Sequence, residues 1–373
     1  MSTIAASTNI NTGYKVTADA TGTLVFQTGA TPTTAMTIDA SQNLLLGTTS
    51  ATTLPTGYLS AANTFGFKNR LINGAMVINQ RGTQTGSPLS AYTLDRWLFS
   101  RSGTGTSTVS QSSTLNYGGQ YALNISSAHA AGEVFGIEQR IESVNSYDLA
   151  GKTVTVQFYA NATTTAGALG SFTFSLSYAN STDNFSSVTS IGSVAFTPTS
   201  TPTLFTATFS VPSAATTGLK LIFSGGQTIA TGTITFNLGG VQLEKGSTAT
   251  SFDYRPYGTE LNMCMRYFQF SGFGFYGTVE SGSTTTIAGN QMYQVPMRAQ
   301  PTASITSGVN AQFRMNGGDY QAATPVLSNY GTTPYGYWTN VGGFTGMTSL
   351  AAVHSRNNTS YGTGNFISLS AEL

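Results

Sequence analysis

The chain has 373 residues, enough for roughly two or three domains with their own cores. Only 8% of its residues are charged, against about 25% in ordinary globular domains, and the formal net charge is +1. That balance gives no electrostatic reason to expect a nucleic-acid or anionic-membrane partner, while 18 Tyr and 22 Phe argue against a disordered chain.

The first 60 residues carry short apolar bursts, Leu24 to Phe26, Met36 to Ile38 and Leu44 to Leu46, between Thr, Gly and Asn turns. The segment is too poor in bulky side chains to stand alone, so residues 1–65 are expected to form an attachment stem wound with copies of itself. MSTIAASTNINTGYK lacks a charged segment followed by an apolar one, and no run reaches the ~18 apolar residues of a membrane span. These features predict a soluble product made in a cytoplasm. The single cysteine, Cys264, excludes an intrachain disulfide.

In NRLINGAMVINQRG, Asn73-Gly74 interrupts two apolar runs, and either a tight hairpin turn or a bulge bending one strand fits. From there, period-2 alternation dominates. Val154, Val156 and Phe158 fall on one face of their run, with Thr153, Thr155, Gln157 and Tyr159 on the other. The same pattern places Phe172, Phe174, Leu176 and Tyr178 inward, then Phe205, Ala207, Phe209 and Val211, then Leu219, Leu221 and Phe223, then Ile234, Phe236 and Leu238. Runs of this length, bounded by Gly, Pro, Asn and Ser, predict an antiparallel two-sheet sandwich over residues 66–256.

In GTELNMCMRYFQF, Thr259 is placed to cap a helix with Glu260 in its first turn and Leu261, Cys264, Met265 and Phe268 on one stripe. Cys264 on that stripe reads as a buried, inert thiol. A second alternating region follows, so residues 257–373 are expected to form a C-terminal β-sandwich tip domain reached through one short helix. The whole chain is therefore read as all-β: an N-terminal β stem, a central antiparallel β-sandwich, which the resemblance below implies is a jelly roll, and the tip.

No enzyme motif is found: no HExxH, GxSxG, CxxC or phosphate-cradling loop, and only two histidines, His129 and His354. Glu138 and Glu142 in GIEQRIES are the best local carboxylate pair. On a strand they sit roughly 13 Å apart with Arg140 between them, which fits a surface charge ladder better than a glycosidase dyad. In Asp95-Arg96-Trp97, Trp97 reads as a core anchor, and Asp95 either pairs with Arg96 or helps hold a cation. No dense oxygen-ligand cluster accompanies it, and neither cofactor nor metal is expected. SNYGTTPYGYWTN offers the groups a sugar needs, rings to stack on and amides to bond its hydroxyls. Its candidates are Tyr330, Tyr335, Tyr337, Trp338, Asn329 and Asn340, with Tyr320 beside Asp319 as an addition. Packing of these aromatics in the tip core or on a trimer axis is the competing reading.

The blocks NRLINGAMVINQRG, YTLDRW, IEQRIES, LAGKTVTVQFYA, LGGVQLEKGSTATSFDYRPYGTELNMCMRYFQ and QVPMRAQPTASI, in this order over residues 66–303, resemble tailed-bacteriophage fibre proteins. Those proteins carry a jelly-roll domain similar to carbohydrate-binding modules and then a small tip domain. The resemblance implies a virion structural protein, an elongated homotrimer. A tail, baseplate or adaptor protein would grip its N-terminus, and its C-terminal end would meet a host receptor such as a glycan. The chain departs from the longer fibres in having almost no shaft. A capsid-mounted adhesion fibre and a glycan-cleaving tailspike are the alternatives.

Overall fold

Alternation along Thr153–Thr164 carries Val154, Val156 and Phe158 fully out of solvent, because successive side chains of a strand point to opposite faces. The computed structural model describes residues 67–373 apart from 88, 114–120, 166–168, 171, 226–230, 272–274, 307–310, 323 and 356–366. Among residues 1–66 it describes five strands. Two compact units result, Met1–Phe67 and Lys68–Leu373.

In the first unit the strands Lys15–Thr17, Ser2–Ala5, Leu24–Thr28, Thr33–Ile38 and Leu44–Leu46 form one sheet in that spatial order. Ser2–Ala5 runs parallel to Leu24–Thr28 and the other pairs are antiparallel. All three anticipated apolar bursts lie in these strands.

The second unit opens with a sandwich of two six-stranded antiparallel sheets. One runs Thr203–Ser210, Thr153–Thr164, Gly232–Lys245, Ala122–His129, Ser107–Ser112, Gln84–Gly86. The other runs Asn184–Phe196, Phe172–Ser181, Leu219–Gly225, Phe135–Ile141, Leu98–Arg101, Ala91–Tyr92. The anticipated inward residues form its core, although Tyr178, Phe205 and Ala207 are only partly buried at its margin. Phe158 of one sheet meets Phe174 and Phe223 of the other edge-on, with ring centroids 4.9 and 4.8 Å apart, the geometry that aromatic quadrupoles favour.

The NRLINGAMVINQRG run is neither a hairpin nor a bent strand. It is a buried turn built around Asn73, which has a φ of 58° and no exposed surface. Its side-chain amide donates to the Ile78 and Asp95 carbonyls at 2.8 and 3.0 Å and accepts from the Ile78 N–H at 2.9 Å. Its backbone N–H donates to Glu260, and its carbonyl accepts from the Trp97 indole at 3.0 Å. Gly74 serves close approach, since a Cβ there would lie 2.1 Å from the Val241 carbonyl oxygen. Trp97 is the core anchor expected, fully buried.

The helix spans Tyr257–Met265 with Pro256 at its N-cap, so Thr259 lies inside the first turn and makes no cap. Glu260 is held in that turn by Arg255 at 3.3 Å as well as by Asn73. Cys264 is fully buried among Ile72, Ile78 and Tyr267, and burial pushes its thiol pKa up. Beyond the helix, Phe268–Ser271, Ile367–Ser370 and Thr302–Ile305 form a three-stranded sheet. A seven-stranded antiparallel sheet runs Gly318–Ala322, Ala311–Met315, Ala352–Ser355, Tyr276–Val279, Ile287–Met292, Gly336–Gly342, Val326–Thr332. Phe275, Phe313, Val341, Val353, Ile367 and Leu369 bury a shared core between the two.

The sandwich meets these sheets through buried charge. Glu372 pairs with Arg96 and, at 2.9 Å, with Arg81. Arg96 lies 3.5 Å above the Tyr267 ring and Arg81 lies 3.7 Å above the Phe268 ring. Asp95 therefore does not pair with Arg96: Gln80 donates to it through its backbone at 2.7 Å and its side chain at 2.6 Å, with Arg81 at 3.6 Å. Glu142, on the sandwich side, accepts from the Tyr267 hydroxyl at 2.8 Å and from Arg298 at 2.9 Å, with Arg266 at 3.4 Å.

Asn73→Ala keeps a Cβ in the left-handed region without the side chain's three hydrogen bonds, whereas Asn73→Gly loses the same bonds but not the backbone freedom. Both variants should unfold at lower denaturant than the parent, with Ala the worse by about 1 kcal/mol in equilibrium unfolding.

Burial raises the Glu142 carboxyl, but the bonds from Tyr267 and Arg298 and the charges of Arg266 and Arg298 outweigh it and hold it below the usual 4.5. A carboxylate lowered on folding contributes its full stabilisation above the unfolded value and loses it as pH falls through the folded one. Burial instead raises Asp95 above its usual 3.8, despite Arg81 and Gln80, so its ionisation works against the fold. Glu142→Gln should lower thermal stability at neutral pH and flatten its decline below about pH 4.5, measured by melting across pH.

Candidate functional site: the outer face of the seven-stranded sheet

Opposite the core, the seven-stranded sheet presents a single cross-strand row. Its register pairs Asp319 with Arg314, Arg314 with His354, His354 with Tyr276, Tyr276 with Asn290, Asn290 with Trp338 and Trp338 with Gly331. Period 2 explains the row: Phe275, Gly277, Ile287, Tyr337, Val341, Phe313 and Val353 face inward, so their neighbours face out. Tyr276 is 68% exposed and Trp338 is 55% exposed. The Tyr276 and His354 rings lie side by side, with centroids 6.4 Å apart and planes 32° apart. Trp338 lies over Gly331, where a Cβ would come within 2.4 Å of the indole nitrogen and 2.7 Å of its neighbouring ring carbon. Glycine thus supplies the floor on which the indole rests.

The sequence candidates separate in space. Trp338 is on this row, and Tyr335, 63% exposed, sits at the tip of the hairpin joining Val326–Thr332 to Gly336–Gly342. The Thr333 hydroxyl accepts from the Tyr335 and Gly336 N–H groups at 3.1 Å each and fixes that tip. Tyr337 is buried: its ring lies 6.2 Å from Phe275 and 5.9 Å from Tyr293, and its hydroxyl is bonded with Ser271 and Gln291. Burial pushes that hydroxyl's pKa up, and Tyr337 presents nothing to a ligand. Tyr320 faces the core, half-buried, while Asp319 stays exposed on the row 3.9 Å from Arg314. Asn340 is buried and donates to Glu280 at 3.2 Å, on the row adjoining Trp338. The side chains of Asn329 and Tyr330 lie outside the described residues.

Tyr276, Asn290 and His354 escaped sequence reasoning, which weighed His354 only as one of two histidines without an enzyme motif. It lies in Ala352–Ser355. The alternation of YGTV and AVHS was visible, but only strand register brings these side chains into one line.

The carboxylates weighed as a catalytic pair are both engaged. Glu138 is nearly buried and bound by Arg140 at 2.7 Å with Lys220 at 3.7 Å, and Glu142 lies in the junction. The expected surface ladder does not form: Arg140 pairs with Glu138, while Glu142 is held by Arg298 and Arg266. Among the described residues no three His, Cys, Asp or Glu side chains gather as metal ligands. What the row can do chemically is stack on apolar faces and bond hydroxyls.

No family model matches the chain, and no curated protein matches it. Similarity to solved structures involves carbohydrate-binding modules and a phage protein. One is a carbohydrate-binding module of the β-sandwich superfamily, 15% identical, covering 56% of this chain and 71% of the other with a TM-score of 0.33. Another is the CBM22-1 xylan-binding domain from Paenibacillus barcinonensis Xyn10C, 12% identical, covering 49% and 98% with a TM-score of 0.31. A third is the enzymatically active domain of bacteriophage CBA120 tailspike protein 4, 14% identical, covering 48% of this chain and 21% of that one with a TM-score of 0.31.

Trp97 is wholly buried and Trp338 is exposed, and they are the chain's 2 tryptophans. Trp338→Phe should leave only emission protected from acrylamide. Gly331→Ala should lift the indole from its floor, shifting emission to the red and increasing quenching while the melting temperature changes little.

Proposed function

We propose that this chain is a fibre protein of a tailed-phage virion that attaches to host-surface glycan without cleaving it. The observation that carries the glycan reading is the row of His354, Tyr276, Asn290 and Trp338, rings and an amide in line on one rigid sheet. Sugar C–H faces stack on such rings, and amides meet hydroxyls with both donors and acceptors. The virion setting is supported by the ordered sequence blocks of residues 66–303, from NRLINGAMVINQRG to QVPMRAQPTASI. In this reading the chain is made in the host cytoplasm and assembles as a homotrimer. A tail or baseplate protein holds it by the N-terminal segment, and the C-terminal sheet meets the receptor. Three copies engaging together convert weak single contacts into lasting attachment. The absence of a chemical step is supported by Glu138 and Glu142, both committed to cations.

Labelled protein should bind host cells, and the double variant Tyr276→Ala/Trp338→Ala should lose at least about 90% of that binding while its melting temperature stays near the parent's. Unchanged adsorption would remove this face from the function. Release of new reducing ends from host polysaccharide would overturn binding without cleavage.

A further inference from the structure

We infer that the outer face takes an uncharged, extended chain of 1,4-linked hexopyranoses with diequatorial linkages, laid across the strands and gripped at alternate rings. The inference rests on the glycan-binding reading above and names its ligand class.

Geometry supplies the direction and the spacing. Tyr276 and Trp338 occupy the same row on strands separated only by Ile287–Met292. Two interstrand steps put their backbones about 10 Å apart on a line perpendicular to the strands. A chain with diequatorial 1,4 linkages is a flat ribbon whose successive rings turn over, so rings offering the same face recur once per disaccharide. That repeat matches the backbone spacing of the two aromatic residues along the row. Asn290, exposed between them, meets the intervening ring, where an amide bonds hydroxyls as donor and acceptor. His354 continues the platform by one strand beside Tyr276. Beyond Trp338 the row ends at Gly331, which offers no side chain.

Charge points the same way. The stretch from Tyr276 through Asn290 to Trp338 carries no formal charge, and Arg314 faces Asp319 at 3.9 Å at the far end of the row. A neutral ribbon fits this strip without leaving a charge unanswered. A chain that coils, as α-1,4-linked glucose does, lifts off the second ring after touching the first.

The smallest ligand reaching both aromatic groups is a trisaccharide. Titrating Trp338 fluorescence of the full chain with cello- and chito-oligosaccharides of one to six units should show affinity rising about tenfold from dimer to trimer and then levelling. Tyr276→Ala should bring trimer and longer ligands down to the affinity of the dimer. Malto-oligosaccharides of equal length should bind no better than a monosaccharide. Equal affinity at all lengths, equal binding of maltohexaose, or no binding of either β-1,4 series at millimolar concentration would overturn the inference. If such a failure accompanies host-cell adhesion that still depends on Tyr276 and Trp338, the ligand class falls and the adhesion reading stands. If adhesion ignores both residues, the adhesion reading falls with it.

Discussion

Two carboxylates, reaching in opposite directions across one buried junction, set the orientation of the C-terminal sheets on the sandwich. Glu372 comes from the C-terminal side and is held by Arg96 and Arg81 of the sandwich side. Glu142 comes from the sandwich side and is held by Arg298, Arg266 and Tyr267. Removing ions from water is costly, so pairs of this kind give modest net stability but a large penalty for any arrangement that separates them. The two arginines that grip Glu372 also stack on Tyr267 and Phe268, residues that lead directly into the three-stranded sheet. A planar guanidinium satisfies carboxylate and ring together, which a lysine ammonium does not. In a chain so poor in charge, four ion pairs among the described residues cross this one junction.

Legibility in the sequence followed the range of the interactions involved. The sandwich was readable because inward and outward positions alternate within each strand, as in Val154, Val156 and Phe158, and Trp97 could be placed as a core residue on size alone. The Asn73-Gly74 motif was visible but misassigned. Its local chemistry fits a hairpin, while its actual role is fixed by Val241 and Glu260, far along the chain. At the candidate site, Trp338 and Tyr335 stood out by composition. Tyr337 was grouped with Trp338 because the stretch was read by its content of rings and amides alone. As a strand, the same residues alternate, and Tyr337 must face the core if Trp338 faces out. The alignment of Tyr276, Asn290 and His354 depends on pairing among three strands, which no single stretch encodes.

A flat face with exposed rings is useful only if the rings are already placed. Rotamer freedom lost on binding weakens an aromatic contact, and holding the ring in advance removes much of that loss. Gly331 does this for Trp338, since any larger residue would intrude on the indole. The glycine therefore belongs to the candidate surface although it offers no side chain to a ligand. Neighbouring Asn340 and Glu280 bond to each other at 3.2 Å, and Thr333 fixes the adjoining hairpin tip. The polar groups around the platform are thus tied to the protein rather than left to collapse onto it.

Low charge also changes how such a surface meets a cell. With a net charge of +1 over 373 residues, the chain is neither drawn to nor repelled by a charged envelope over a Debye length. Approach then brings little steering, and attraction arises only at contact, where ring and sugar faces touch. Short-range contacts of this kind are individually weak and insensitive to salt, so the proposed attachment requires several to be made together along one row and across several copies. In the proposed reading, order in the sheet and repetition of the subunit would do what long-range electrostatics does in charged receptors.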